Sequence, residues 1–139
     1  MGGGSKARGR VPMPTRPVRE RRQDFGEVTR GYTPEMAQAE AARCLQCSDP
    51  PCEKGCPVKV KIKDFVREIQ KGNFEGAREV ILAASNLPAV CGRVCPQEQQ
   101  CEDGCVLGKK GEPLAIGRLE RFVTDYTGPA AWDTHRDDR

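Results

Sequence analysis

Two runs of closely spaced cysteines constrain this chain more than any other feature. The first reads Cys44-x2-Cys47-x4-Cys52-x3-Cys56 and the second Cys91-x3-Cys95-x5-Cys101-x3-Cys105, with Pro57 and Pro96 directly after Cys56 and Cys95. Gaps this short make each run a tight loop, so eight thiols must gather in a small part of whatever fold forms around them. Burial alone gives little help. Leu, Ile, Val and Phe supply 25 of the 139 residues, about 18%, a level at which a small domain struggles to stabilise itself. One domain is expected, held together largely through its cysteines.

Cysteines act as bridges or as metal ligands, and the compartment decides between the two. The opening MGGGSKARGR has no apolar signal region, and no stretch approaches the roughly 18 apolar residues of a membrane span. The expectation is a cytoplasmic chain with no membrane partner, where clustered thiols are metal ligands. Zinc accepts four thiolates, but its paired Cys-x2-Cys knuckle occurs only once here, and the sole histidine, His135, sits in the tail. A four-iron cube fits the spacing better, because a run with short gaps wraps three iron corners while a fourth ligand arrives from elsewhere. Bacterial two-cluster ferredoxins use such a run, also ending Cys-Pro, whose last cysteine serves the other cluster. The same crossing is expected here: Cys44, Cys47 and Cys52 on one cube, Cys56 turning to the second run, and Cys105 best placed to return.

The rest of the chain divides by composition. Residues 1–30 hold eight Lys or Arg against three Asp or Glu, and Val11-Pro12-Met13-Pro14-Thr15-Arg16-Pro17 favours an extended path. This stretch reads as an extended basic arm that docks on a partner. With one Trp, two Tyr and four Phe in all, the chain lacks the basic and aromatic interleaving of a nucleic-acid surface. Residues 31–127 read as a helical domain. Thr33 and Pro34 open a helix that runs to Cys44; Ile62, Phe65, Val66 and Ile69 mark a second that stops at Gly72. Asn73 caps a third, with Ala77, Val80, Ile81 and Ala84 on one face, before Pro88 breaks it; the second and third form an antiparallel pair. A last helix from about Pro113 buries Ala115, Ile116, Leu119, Phe122, Val123 and Tyr126. Residues 128–139 read as a loose tail. The fold class is all-α, a helical domain whose irregular loops enclose two 4Fe-4S clusters.

Gly31-Tyr32-Thr33, Cys44-Leu45-Gln46-Cys47, Pro50-Pro51-Cys52, Gly55-Cys56-Pro57, Cys91-Gly92-Arg93-Val94-Cys95-Pro96 and Ile116-Gly117-Arg118-Leu119-Glu120-Arg121 together resemble one family. It is the N-terminal iron–sulfur domain of the glutamate synthase small subunit, dihydropyrimidine dehydrogenase and the large subunit of NADH-dependent ferredoxin:NADP oxidoreductase. The resemblance spans about residues 10–127. It implies a helical domain with two 4Fe-4S clusters that relay electrons between a flavin site and a partner redox centre. It also implies the ligands: Cys44, Cys47, Cys52 and Cys105 for one cluster, and Cys56, Cys95, Cys101 and Glu120 for the other, with Cys91 outside both sets. The residues themselves add that Glu120 lies at the edge of an apolar stripe, where an unpaired carboxylate is costly to desolvate. A carboxylate there reaches iron, reaches water, or pairs with Arg118 or Arg121.

Members of that family continue into nucleotide-binding modules, and no strand, Gly-x-Gly-x-x-Gly and helix unit occurs here. FAD and NAD(P)H are therefore expected only on absent domains or on a flavoprotein partner. The chain shows no Ser-His, Cys-His or phosphate-loop arrangement, so no catalytic residue of its own is expected. The competing function is a metal-stabilised docking module that does not cycle redox state.

Overall fold

The computed structural model describes residues 9–128. Within them lie seven α-helices: α1 (Val18–Arg21), α2 (Pro34–Ala41), α3 (Pro51–Gly55), α4 (Ile62–Gln70), α5 (Phe74–Leu82), α6 (Pro88–Val94) and α7 (Ile116–Thr127). Two short 3-10 turns and one isolated bridge complete the described elements, and no strand is among them. The chain is all-α, as the sequence leads one to expect. No described helix is long and apolar enough to cross a membrane.

The helix boundaries follow local chemistry. Thr33 Oγ1 accepts the Met36 N–H and Pro34 fills the first turn of α2. Past Ala41 the chain tightens into i→i−3 bonds, Arg43 N–H to Glu40 and Cys44 N–H to Ala41, which carry it to the first ligand position. At the end of α4, Gly72 sits at φ +77°, its N–H on the Ile69 carbonyl and the Asn73 N–H on Glu68. That is the left-handed stop for which glycine is suited. Asn73 then caps α5 by accepting the Gly76 N–H at 3.1 Å.

The core lies where α4, α5 and α7 meet, with α2 against it. Phe65, Ile69, Ile81, Leu119 and Val123 are fully buried, Cys101 is part of the same cluster, and Cys44, Cys52, Cys56 and Cys105 pack against it half-buried. The cysteines thus form one wall of the core. Tyr126 departs from the expected stripe. It is more than half exposed, but its ring packs on Phe74 at 5.1 Å and Phe122 at 5.3 Å, forming an aromatic edge to the core.

Three local features differ from expectation. The cysteine regions are partly helical, since Pro51 and Pro88 each occupy the first turn of a short helix, α3 and α6. The last helix begins at Ile116 and not near Pro113, and the N–H groups just ahead of it are held by distant acceptors. Leu114 donates to Cys105 Sγ at 3.4 Å and Ala115 to Glu40 Oε1 at 2.9 Å. Gly117 donates to Glu102 Oε1 at 3.3 Å. Two buried carboxylates thereby satisfy and electrostatically complement a helix start that has no side-chain cap of its own.

The arm is the third. Residues 1–8, and the tail beyond 128 with His135, lie outside the described residues. From residue 9 onward the segment is folded back on the domain and is not simply extended. Thr15 bridges Thr29, Arg16 N–H meets the Val28 carbonyl, and α1 forms the turn between them. Arg16 grips both oxygens of Asp24 at 2.8 and 2.7 Å, which with the Gly26 N–H lowers the Asp24 carboxyl to about 2. Nearer the start, the Val11 N–H binds Glu40 Oε2, Tyr32 Oη donates to the Val11 carbonyl, and Arg10 pairs with Glu102 at 2.5 Å. Polar anchors, which composition does not reveal, seat this Pro- and Arg-rich strand.

Candidate metal centre

The first cysteine group gathers at the end of α2. Cys44, Cys47, Cys52 and Cys105 line one space whose remaining walls include Leu45, Ile62, Leu114 and Ile116. Cys52 comes from the first turn of α3, and Cys105 arrives from the far end of the second run. The thiols feel one another. Burial, then the Cys105 and Cys44 thiols, push the Cys52 thiol up to about 12. Cys44 is likewise raised, by burial first and by Cys105 and Cys47, against the lowering effect of the two Gln46 N–H donors.

The second group forms between α6 and α7. The Cys95 thiol is pushed up to about 11 by burial, then by Cys91, Glu120 and Cys56. Cys101 rises to about 12 through burial, Glu102, Cys56 and Glu120. Cys56 therefore leaves its own run to join Cys95 and Cys101, and Cys105 leaves the second run to join the first. Glu120 faces the same group. It is half-buried, and desolvation raises its carboxyl to about 7.

The two alternative partners weighed for Glu120 are engaged elsewhere. Arg118 donates to the Val11 carbonyl, and Arg121 binds Glu27, Asp125 and Thr29. Cys91 is also close, one turn before Cys95 in α6, where its sulfur lies 3.8 Å from Ser85 Oγ. The structure thus brings Cys44, Cys47, Cys52 and Cys105 together in one group and Cys56, Cys95, Cys101 and Glu120 in another, where Cys91 also hydrogen-bonds Cys95.

Two glycines make the crossing possible. A Cβ on Gly55 would strike the Gln100 carbonyl, and one on Gly104 would stand 2.8 Å from the Pro51 carbonyl. These reciprocal backbone approaches hold Cys56 beside Cys101 and Cys52 beside Cys105. Gly104 was not singled out from sequence. Neither was Glu102, which follows Cys101 and ties Arg10 to the start of α7, the helix that carries Glu120. Arg10 to Glu102 is a contact 92 residues apart in sequence, so no local pattern could signal it.

The donor set fits an iron–sulfur group. Thiols buried together resist ionisation, because each new thiolate faces desolvation and a like charge. Ferric and ferrous iron reverses both penalties, as a coordinating cation deprotonates its thiol outright. No three Cys, His, Asp or Glu side chains among the described residues close on a single ion. The four sulfurs of the first group line one space, and in a cube each thiolate binds a different iron.

This helical fold with two crossed cysteine groups defines an iron–sulfur domain. The chain belongs to the family described as dihydropyrimidine dehydrogenase domain II, 4Fe-4S cluster, whose model matches residues 21–132. It is 47% identical over 100 residues to the NAD-dependent dihydropyrimidine dehydrogenase subunit PreT of Escherichia coli O157:H7, covering 72% of this chain and 24% of that protein. It is 40% identical over 119 residues to the glutamate synthase (NADPH) small chain of Azospirillum brasilense, covering 85% of this chain and 24% of that one. The corresponding small chain of Escherichia coli K12 is 36% identical over 123 residues, covering 88% and 26%. The chain spans about a quarter of the length of these relatives.

Proposed function

We propose that the chain is a two-cluster electron relay for a flavin- and NAD(P)H-dependent oxidoreductase of the glutamate synthase small-chain and dihydropyrimidine dehydrogenase kind. One cluster is held by Cys44, Cys47, Cys52 and Cys105, the other by Cys56, Cys95, Cys101 and Glu120. The observation that supports this reading is the approach of Cys105 to the first run and of Cys56 to the second, which gathers the candidate ligands into two groups. When bound, such clusters would supply one-electron storage sites. The chain's own residues do the rest. Gly55 and Gly104 lock the two runs together, apolar walls keep water from the sulfurs, and Glu102 with Arg10 fixes the helix that presents Glu120. Flavin and nicotinamide belong to the remainder of a longer protein or to a flavoprotein partner; the NAD and NADPH in the relatives' names support the nicotinamide part.

Anaerobic reduction of the purified chain tests this. Photoreduced FMN is expected to deliver about two electrons per chain, one per cluster, with bleaching of the charge-transfer absorption and new paramagnetic signals. NADPH alone is expected to leave the spectrum unchanged, since the chain has no nucleotide fingerprint. An iron-loaded protein that accepts no electrons from reduced flavin or dithionite would instead be a docking module.

A further inference from the structure

Gln46 lies between Cys44 and Cys47 at φ +53°, a left-handed conformation that a glutamine adopts only when its surroundings enforce it. In this conformation its backbone N–H and its side-chain amide turn to the same atom. The N–H stands 3.5 Å and Nε2 3.4 Å from Cys44 Sγ. The amide orientation is fixed independently, because Nε2 also donates to the Lys63 carbonyl at 3.1 Å. A carbonyl can only accept, so the nitrogen must face it. The second amide hydrogen is then left for the sulfur. The opposite oxygen, Oε1, is buried without a hydrogen-bond partner in the structure, a cost that a flexible surface side chain would avoid.

We propose that the Gln46 side-chain amide tunes the redox potential of the cluster held by Cys44, Cys47, Cys52 and Cys105, raising it by hydrogen-bonding the Cys44 thiolate. The inference rests on the two-cluster reading above and adds a residue that is not a ligand. Reduction adds negative charge that spreads over the sulfurs, and a fixed N–H donor favours the more negative state. Backbone donors reach other sulfurs of both groups, Glu53 to Cys52, Leu114 to Cys105 and Glu102 to Cys101. Those survive any side-chain substitution. The Gln46 amide is the donor that sequence can add or remove, and Lys63 at the start of α4 holds it in place.

The test is potentiometric titration of the full chain, followed by electron paramagnetic resonance, in wild type, Gln46→Met and Gln46→Leu. Both substitutions keep side-chain bulk and remove the amide. Iron and sulfide content are expected to stay at the wild-type level, and one of the two waves should move to lower potential by about tenfold in its reduction equilibrium, about 59 mV for one electron. The moving wave should be the one that Glu120→Ala leaves in place. Unshifted waves in iron-replete variants overturn the inference while sparing the two-cluster reading; wild type without two clusters overturns both. Should both variants lose iron, wild-type protein carrying a 15N-labelled glutamine side chain decides. Hyperfine coupling of that nitrogen to the reduced cluster supports the proposal, and its absence refutes it.

Discussion

Stripping the iron with a chelator under anaerobic conditions is expected to abolish the cooperative thermal transition and much of the helical circular dichroism. Cys101 belongs to the hydrophobic core cluster, and Cys44, Cys52, Cys56 and Cys105 pack against it half-buried. Without iron, that side of the core becomes a set of partly buried thiols with no ligation to hold them. The segments 42–61 and 83–115 contain only short helices and turns, and apolar residues there such as Leu45, Val58, Leu87, Val90 and Val94 are exposed. Apart from the packing of α6 on α7, the backbone approaches at Gly55 and Gly104 and the Glu102 contacts, ligation is what would hold these segments. A structural metal contributes on the order of 10 kcal/mol to a small domain, comparable with the entire stability of about 5–15 kcal/mol. Loss of iron should therefore exceed the folding margin. The α4, α5 and α7 helices share fully buried contacts, so residual helix from them is compatible with collapse. A dispersed, native-like NMR spectrum from the iron-free chain would count against the account.

The second large effect is a contrast between neighbouring side chains. Glu120→Ala is expected to cost the cluster at Cys56, Cys95 and Cys101 most of its iron or to change its spectrum, while Cys91→Ser keeps both clusters. We propose Glu120 as the eighth ligand, a reading that three observations support. Its carboxyl is raised to about 7 by desolvation, it acts on both Cys95 and Cys101, and the nearby arginines Arg118 and Arg121 are committed to other acceptors. Cys91 acts on Cys95 and has the Ser85 hydroxyl beside it. A carboxylate oxygen is also a harder donor than thiolate, so one cluster should differ from the other in potential. The roles are reversed if Cys91→Ser empties a site and Glu120→Ala is silent.

Much of this was legible in the chain. The period of Ile62, Phe65, Val66 and Ile69, the stop at Gly72 and the cap at Asn73 are local signals, and the α4 and α5 boundaries follow them closely. The crossing of Cys56 and Cys105 was also readable, because short gaps let a loop wrap only three corners of a cube. What sequence did not disclose depends on distant partners. Pro113 reads as a helix start, yet α7 begins at Ile116, and the Ala115 N–H just ahead of it is held by Glu40, 75 residues away in sequence. The basic arm read as a free docking element, yet Arg10 and Val11 bind Glu102 and Glu40. Composition records the charge of Arg10 and not the buried carboxylate waiting for it. Gln46 carried no signal at all, since its role depends on a backbone conformation that only the closed loop imposes.

The central claim is that this chain holds two four-iron clusters, and the direct measurement is iron and acid-labile sulfide per polypeptide in anaerobically prepared protein, read beside its Mössbauer spectrum. The account predicts about eight irons and about eight sulfides per chain, all in cubane environments, with one iron site distinguished by an oxygen ligand. About four irons in a fully folded chain, or zinc in place of iron with no labile sulfide, would contradict it.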